Sequence, residues 1–481
     1  MGIYFDSGTE ASNLELNWKP KINNMIKSIN SWKGRHISMY GKIILCKTFL
    51  LSKFNYILQA LSLKSTVLDE IDTILFKYVW QKNFSSKKAF EKIKRSVLCK
   101  NISEGGLNMI SIKDQQKVFH IKWLKKITSE LNDFDTAHLF FKGLGGAQYL
   151  LACTEEKTHT FLDENIQSKF WIDVLKTWFT LKPKSEVSTL SEILSQPIFL
   201  NSNIKYKERP LFIKKFVDKK IKFVKDIVTN SGRIEIEYIQ QKSGKYPNLM
   251  LDFNAIFNGI PKLWKNILIH TTPNEMAEAK NIIIKKPTFI ADFLEMKNKN
   301  LRNYISNMKD STICSKSLWK RKFNIDIANY FDIANRTTNE SRLRLLHFKI
   351  IHNIYPTNIL LAKMKIKNNI QCDFCGENDY IEHFFVDCKK VAPFWKFIMN
   401  KILSDKNTQI SLKSEHILFG IKKADFPQLE NNIINYANKL ILIGKMCISK
   451  LRYGKVNNIF TIFEYEWRLR NMCEEFTCTN T

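Results

Sequence analysis

Four residues of this 481-residue chain have the types and spacing to hold a metal ion: Cys372, Cys375, His383 and Cys388, in the pattern C-x2-C-x7-H-x4-C. Two thiolates three positions apart can grip one metal from a tight turn, and a His and a Cys further on can close the tetrahedron. Four borderline-soft ligands with no vacancy form the set that zinc takes in a structural site. A lone Cys-x-x-Cys also reads as a redox pair, and scattered cysteines also read as core residues. The added His and Cys at ligand spacing favour zinc over both. A closed ligand set leaves no position for an activated water, so the expected role is to hold a fold together. Gly376 would ease the backbone past the second thiolate, and Asp379 and Glu382 are candidate carboxylate acceptors for His383.

Catalytic constellations are missing from these residues. There is no Asp-Asp pair, hence no Tyr/Phe-x-Asp-Asp hairpin of a two-metal polymerase. Neither a Gly-rich phosphate loop ending in Lys-Ser/Thr nor a G-x-S-x-G elbow occurs. His36, His120 and His347 read as satisfied structural histidines rather than bases. The expectation is a non-catalytic chain.

Charge points to a partner. Seventy-five Lys and Arg against 46 Asp and Glu give a net charge of +29. Such an excess repels itself unless a polyanion neutralises it, and nucleic-acid phosphates reward each cation through counterion release. An AT-rich coding sequence or an acidic membrane surface would also account for it. Uncharged stretches such as Gly143 to Thr154 fall well short of the roughly 18 residues a membrane span needs. The first residues carry no secretory pattern, and the ten cysteines form no disulfide framework. A reducing, intracellular compartment is expected.

The elements that would position these residues are mostly helical. Ile22, Met25, Ile26 and Ile29 recur at helical steps, followed by a mostly apolar helix over Ile43–Leu63. Thr66 with Asp69 resembles a capping box opening a third helix, with Leu68, Ile71, Leu75 and Val79 in its buried stripe. A fourth helix is expected over Gln115–Thr128. Residues 131–200 are less patterned, with Gly143, Gly145 and Gly146 as loop markers. Pro210–Val228 reads as a basic amphipathic segment, and the alternation of Ile234, Ile236 and Tyr238 predicts one short strand. Helical periods return from about Leu318 onward. The fold class expected is mainly α.

In this order the residues resemble the reverse transcriptases of LINE-type, non-LTR retrotransposons. The first matching stretch is Leu16-Asn17-Trp18 with Ile29 to Lys42, which looks like the thumb region. Next come Phe76 to Trp80 and Glu104-Gly105-Gly106-Leu107-Asn108-Met109, where Tyr78 stands in the place of the family's Phe and Asn108 in the place of its third Gly. The third runs from Arg342 to His352 through Pro356-Thr357-Asn358 to the cysteine cluster and Phe394-Trp395, and looks like the family's zinc-binding domain. His416 to Gly420 and the helix around Ile448 to Tyr453 also fit the family's tail. Gly2-Ile3-Tyr4-Phe5 looks like the end of the palm, so the resemblance implies a chain beginning just after the catalytic domain.

The resemblance divides the chain into a thumb-like helical region (1–130), a poorly defined basic connecting region (131–310), a zinc-binding domain (311–400) and a helical tail (401–481). It implies grip on RNA or DNA. Lys33, Gly34, Arg35 and Lys42 around the thumb turn, and Arg342, Arg344 and Lys349 on the helix before the cysteines, are the candidate backbone contacts. Spacings of two and five do not put the last three on one face, so only part of that set can reach phosphate. Trp32 reads as core in preference to a stacking platform. A separately encoded reverse-transcriptase palm is a further expected partner, and a nuclear or cytoplasmic ribonucleoprotein the expected setting. The alternative reading is a zinc-stabilised helical scaffold that binds another protein.

Overall fold

Apolar residues at three- and four-residue steps dominate the sequence, and helices dominate the structure. The computed structural model describes residues 3–4, 10–80, 91–129, 141, 145–154, 162–164, 166, 168–182, 187–285, 293–309, 312–454 and 458–478. Gly2 and Phe5 of the palm-like segment, Gly143, and residues 81–90 of the basic stretch after Trp80 lie outside them. Among the described residues the only paired strands are Lys205–Tyr206 and Arg209–Pro210, a two-residue antiparallel hairpin. The mainly α expectation holds. No helix among the described residues is long and apolar enough to cross a membrane.

The chain forms two compact units, each assembled from separated segments. Residues 1–20, 54–69 and 112–305 make one; residues 21–53, 70–111 and 306–481 make the other.

In the first unit a continuous core runs from Val118 to Ile305. Helix Ile112–Ser129 packs against helix Lys169–Leu181, whose Trp171, Ile172, Val174, Leu175, Trp178 and Leu181 are buried. Trp123, Phe170 and Trp171 meet there edge to face, the geometry that aromatic quadrupoles favour. The expected strand at Arg233–Tyr238 is absent. Ile234 makes one isolated bridge to Val228, and Ile236–Ser243 is a helix that buries Ile239. The basic segment Pro210–Val228 holds two short helices, Lys214–Asp218 and Val224–Ile227.

In the second unit the 22-residue helix Asn431–Arg452 is the central element. It packs on Ile333–Thr337, Ser341–Ile351, Ala392–Lys406 and Ile459–Cys478. Met39–Leu45 lies against Ser341–Ile351, so residues 39–45 and the helix that precedes the cysteine cluster belong to one unit.

The Gly105-Gly106 turn explains its own sequence. Gly105 takes φ +86° and Asn108 φ +55°, the left-handed region that Gly and Asn tolerate. At Gly106 a Cβ would overlap the carbonyl of Lys100. The Gly105 carbonyl accepts a hydrogen bond from His352 Nε2 at 2.8 Å, and the His352 ring stacks on Phe331.

Candidate metal centre

The four ligand candidates come from two turns. In the first, Gln371 and Asn378 form an isolated antiparallel bridge, and Cys372 N–H donates to the Glu377 carbonyl at 2.6 Å. Gly376 N–H returns to the Cys372 carbonyl at 2.9 Å, with Gly376 at φ +78°. This tight reversal aims Cys372 and Cys375 the same way. Phe374 N–H points at Cys372 Sγ, 3.4 Å away.

The second turn carries His383 and Cys388. In an ordinary helix, with 3.6 residues per turn, positions five apart point to different faces. Here Cys388 N–H bonds the His383 carbonyl at 3.2 Å, a widened five-residue turn over His383–Asp387. It brings the two side chains to the same side.

All four ligand atoms lie within 4.8 Å of one another. Cys372 Sγ and Cys388 Sγ are 3.9 Å apart, Cys388 Sγ and Cys375 Sγ 4.0 Å, and Cys375 Sγ and His383 Nε2 3.1 Å. Metal–sulfur bonds of about 2.3 Å around a tetrahedron imply sulfur separations of roughly 3.8 Å, so the cluster has the size of one closed site. Cys372, His383 and Cys388 are buried and Cys375 is half-buried. The cluster could bind one metal ion.

Neighbouring groups act on the thiols in opposite directions. Burial pushes Cys372 up, but the Phe374 N–H, His383, the Cys375 N–H and Arg452 together draw it below the usual thiol value. Cys388 is held above it by burial, which the Lys390 N–H and Arg452 only partly offset.

Neither carboxylate expected beside His383 serves it. Asp379 Oδ2 accepts from Asn358 N–H at 2.9 Å and Oδ1 from Arg452 at 3.3 Å, while Glu382 pairs with Lys322. The acid facing His383 Nδ1 is Glu377, 3.6 Å away. Sequence reasoning also missed Arg452, whose guanidinium donates to Cys372 Sγ at 2.8 Å. It lies far along the chain, and nothing in the ligand spacing signals it.

The candidate nucleic-acid contacts divide by exposure. Lys33, Gly34 and Arg35 are exposed in the turn after helix Glu10–Trp32, with Arg35 over the Trp32 ring at 5.6 Å. Trp32 is half-buried rather than core, tilted against Phe49, which is 57% exposed. Lys42 is buried, with its ammonium over the Tyr78 ring, so it is not presented at the surface. Burial also lowers its pKa.

Arg342 is exposed. Arg344 turns inward and donates to the carbonyls of Thr338 and Asn335 at the end of helix Ile333–Thr337, and to Asn339 Oδ1. Lys349 is half-buried, its pKa lowered by burial and by Lys92.

His347 and His120 are buried. His347 Nε2 donates to the Tyr330 carbonyl, and burial drives the two rings down to about 3 and about 4. His36 is instead exposed. No protein-family model matches the sequence.

Proposed function

We propose that this chain serves as the nucleic-acid-gripping C-terminal part of a LINE-type reverse transcriptase, performing no polymerase chemistry itself and held together by one structural zinc. Cys372, Cys375, His383 and Cys388 are the zinc ligands. Lys33 and Arg35, with Gly34 permitting close approach, and Arg342 contact nucleic-acid phosphates. Lys42 and Arg344 serve the fold instead.

The observation that carries the reading is the agreement between motif order and geometry. The Gly105-Gly106 turn is hydrogen-bonded to His352 at the end of the helix that leads to the cysteine cluster. At Asn108, where the family has Gly, the backbone is left-handed. Substitution of Gly by Asn is a change that such a position accepts. Binding by exposed cations to phosphate is salt-sensitive and carries little sequence preference.

The test is a salt titration of the purified chain against single- and double-stranded RNA and DNA, with zinc measured on the same sample. Tight binding that weakens steeply with salt, at about one zinc per chain, supports the reading. A folded, zinc-loaded chain with no affinity for any of the four overturns it. One observation favours the second reading, a protein-interaction scaffold. Helices Leu249–Gly259 and Lys262–Ile269 leave Met250, Leu251, Phe257, Leu263 and Ile269 exposed. Exposed apolar side chains of this kind are what a protein partner would cover.

A further inference from the structure

Arg452 ends helix Asn431–Arg452, and its side chain is only 5% exposed. Nη1 donates to Cys372 Sγ at 2.8 Å and to Asp379 Oδ1 at 3.3 Å; Nη2 donates to the carbonyls of His383 at 3.3 Å and Phe384 at 3.2 Å. Its guanidinium carbon sits over the Phe384 ring at 4.5 Å and the Phe374 ring at 5.2 Å. One side chain therefore reaches both ligand turns. Tyr453 OH, donating to the Pro356 carbonyl at 2.7 Å, and Tyr355 OH, paired with Ser449 Oγ at 2.5 Å, dock the same helix end.

Charge gives this contact a purpose. Three thiolates and a neutral imidazole around a divalent cation carry a net charge of minus one, and the Asp379 carboxylate adds to it. A buried anion needs a paired, hydrogen-bonded counter-charge. Guanidinium suits the position because it stays ionised and offers planar, divergent donors to several acceptors at once, which a lysine ammonium on a single stem does less well.

We propose that Arg452 is the counter-charge of the metal centre, and that through it metal loading fixes the C-terminal end of helix Asn431–Arg452 onto the ligand turns. The proposal rests on the zinc reading of the four ligands. Arg452 acts on the metal through Cys372 and the turn carbonyls, as a positioning residue. Loss of partners of this kind lowers metal affinity about 10- to 100-fold.

The test uses the full chain as wild type, Arg452→Gln and Arg452→Lys. Zinc affinity is read by competition with a chromophoric chelator, and amide exchange over residues 440–452 is followed with zinc and after its removal. The expected result is about a 10- to 100-fold loss of affinity in Arg452→Gln, partly recovered in Arg452→Lys. In wild type, zinc removal speeds exchange at the helix end; in Arg452→Gln exchange is already fast and ignores zinc. A merely structural arginine would leave the wild-type exchange indifferent to zinc. That result, or a wild-type zinc affinity in Arg452→Gln, overturns the coupling. The wild-type exchange needs no variant, so it decides the matter even if Arg452→Gln fails to fold. Wild type that takes up no zinc overturns the metal reading itself, and this proposal with it.

Discussion

Replacing Lys445 with Met should stabilise the second unit at neutral pH and lose that advantage as pH rises. Lys445 lies within helix Asn431–Arg452 with 0% exposure, and its ammonium donates to the Leu418 carbonyl at 3.0 Å. Leu418 is in the last turn of helix Ser414–Phe419, where carbonyls lack an intrahelical partner. Burial draws Lys445 down to about 7. Since an unfolded lysine titrates near ~10.4, the unfolded chain binds more protons between the two values. The penalty is therefore full below pH ~7, shrinks by about 1.4 kcal/mol per pH unit above it, and is gone above pH ~10. A gap of about 3.4 units amounts to roughly 4 kcal/mol near neutrality. Methionine keeps much of the stem and removes the charge but leaves the Leu418 carbonyl unpaired, at about 2 kcal/mol. The net gain is about 2 kcal/mol at pH ~7, falling to zero near pH ~9. Equilibrium urea unfolding across that range measures it, with Trp319, whose ring lies 5.1 Å from that of Phe419, as a fluorescent reporter in the same core. A Met variant less stable than wild type at neutral pH, or a difference that does not change with pH, would refute the reasoning.

Three further outcomes concern residues 33–108. Gly106→Ala forces a Cβ into the Lys100 backbone and should cost about 3 kcal/mol in urea unfolding. Gly34→Ala, with open space around it, should stay within about 0.5 kcal/mol, and equal effects at both sites would contradict the packing. Asn108→Ala should lose about 1 kcal/mol because alanine lacks the short polar side chain that lets Asn tolerate the left-handed backbone, while Asn108→Gly should be nearly neutral. In duplex DNA binding, Lys33→Gln with Arg35→Gln should flatten the slope of log affinity against log salt by about 1.8. Lys42→Gln should leave that slope unchanged because Lys42 is buried, and a slope altered by Lys42→Gln alone would place the contact elsewhere.

What the sequence made legible was local. The stripe from Leu68 to Val79 marked a helix that begins at Ser65, so Thr66, expected as its cap, lies inside it, and Gln115–Thr128 fell inside Ile112–Ser129. The four ligand candidates were legible as residue types in two nearby pairs, but the widened turn over His383–Asp387 that aims His383 and Cys388 the same way was not. Three alternating residues, Ile234, Ile236 and Tyr238, were too few to separate a strand from the start of a helix, and burial of Ile239 decided for the helix. Helix Lys169–Leu181 was missed beside the glycines at 143–146, although its aromatics carry a clear buried face.

Tertiary partners were legible only as types. Lys42 and Arg344 read as backbone contacts for nucleic acid, yet Lys42 lies over Tyr78 and Arg344 pairs with the end of a neighbouring helix. Glu382 looked closer to His383 than Glu377 by sequence, but Glu382 is paired with Lys322, and Glu377 faces the ring. Arg452 shows the same limit from the other side. A residue brought in by a distant helix cannot be read from ligand spacing, yet its side chain touches the first thiolate and the carbonyl of the histidine. Net charge alone therefore overstates how many cations are available to phosphate. The exposed Lys33, Arg35 and Arg342 are the part of the candidate set that a nucleic acid can reach without unfolding the unit that presents them.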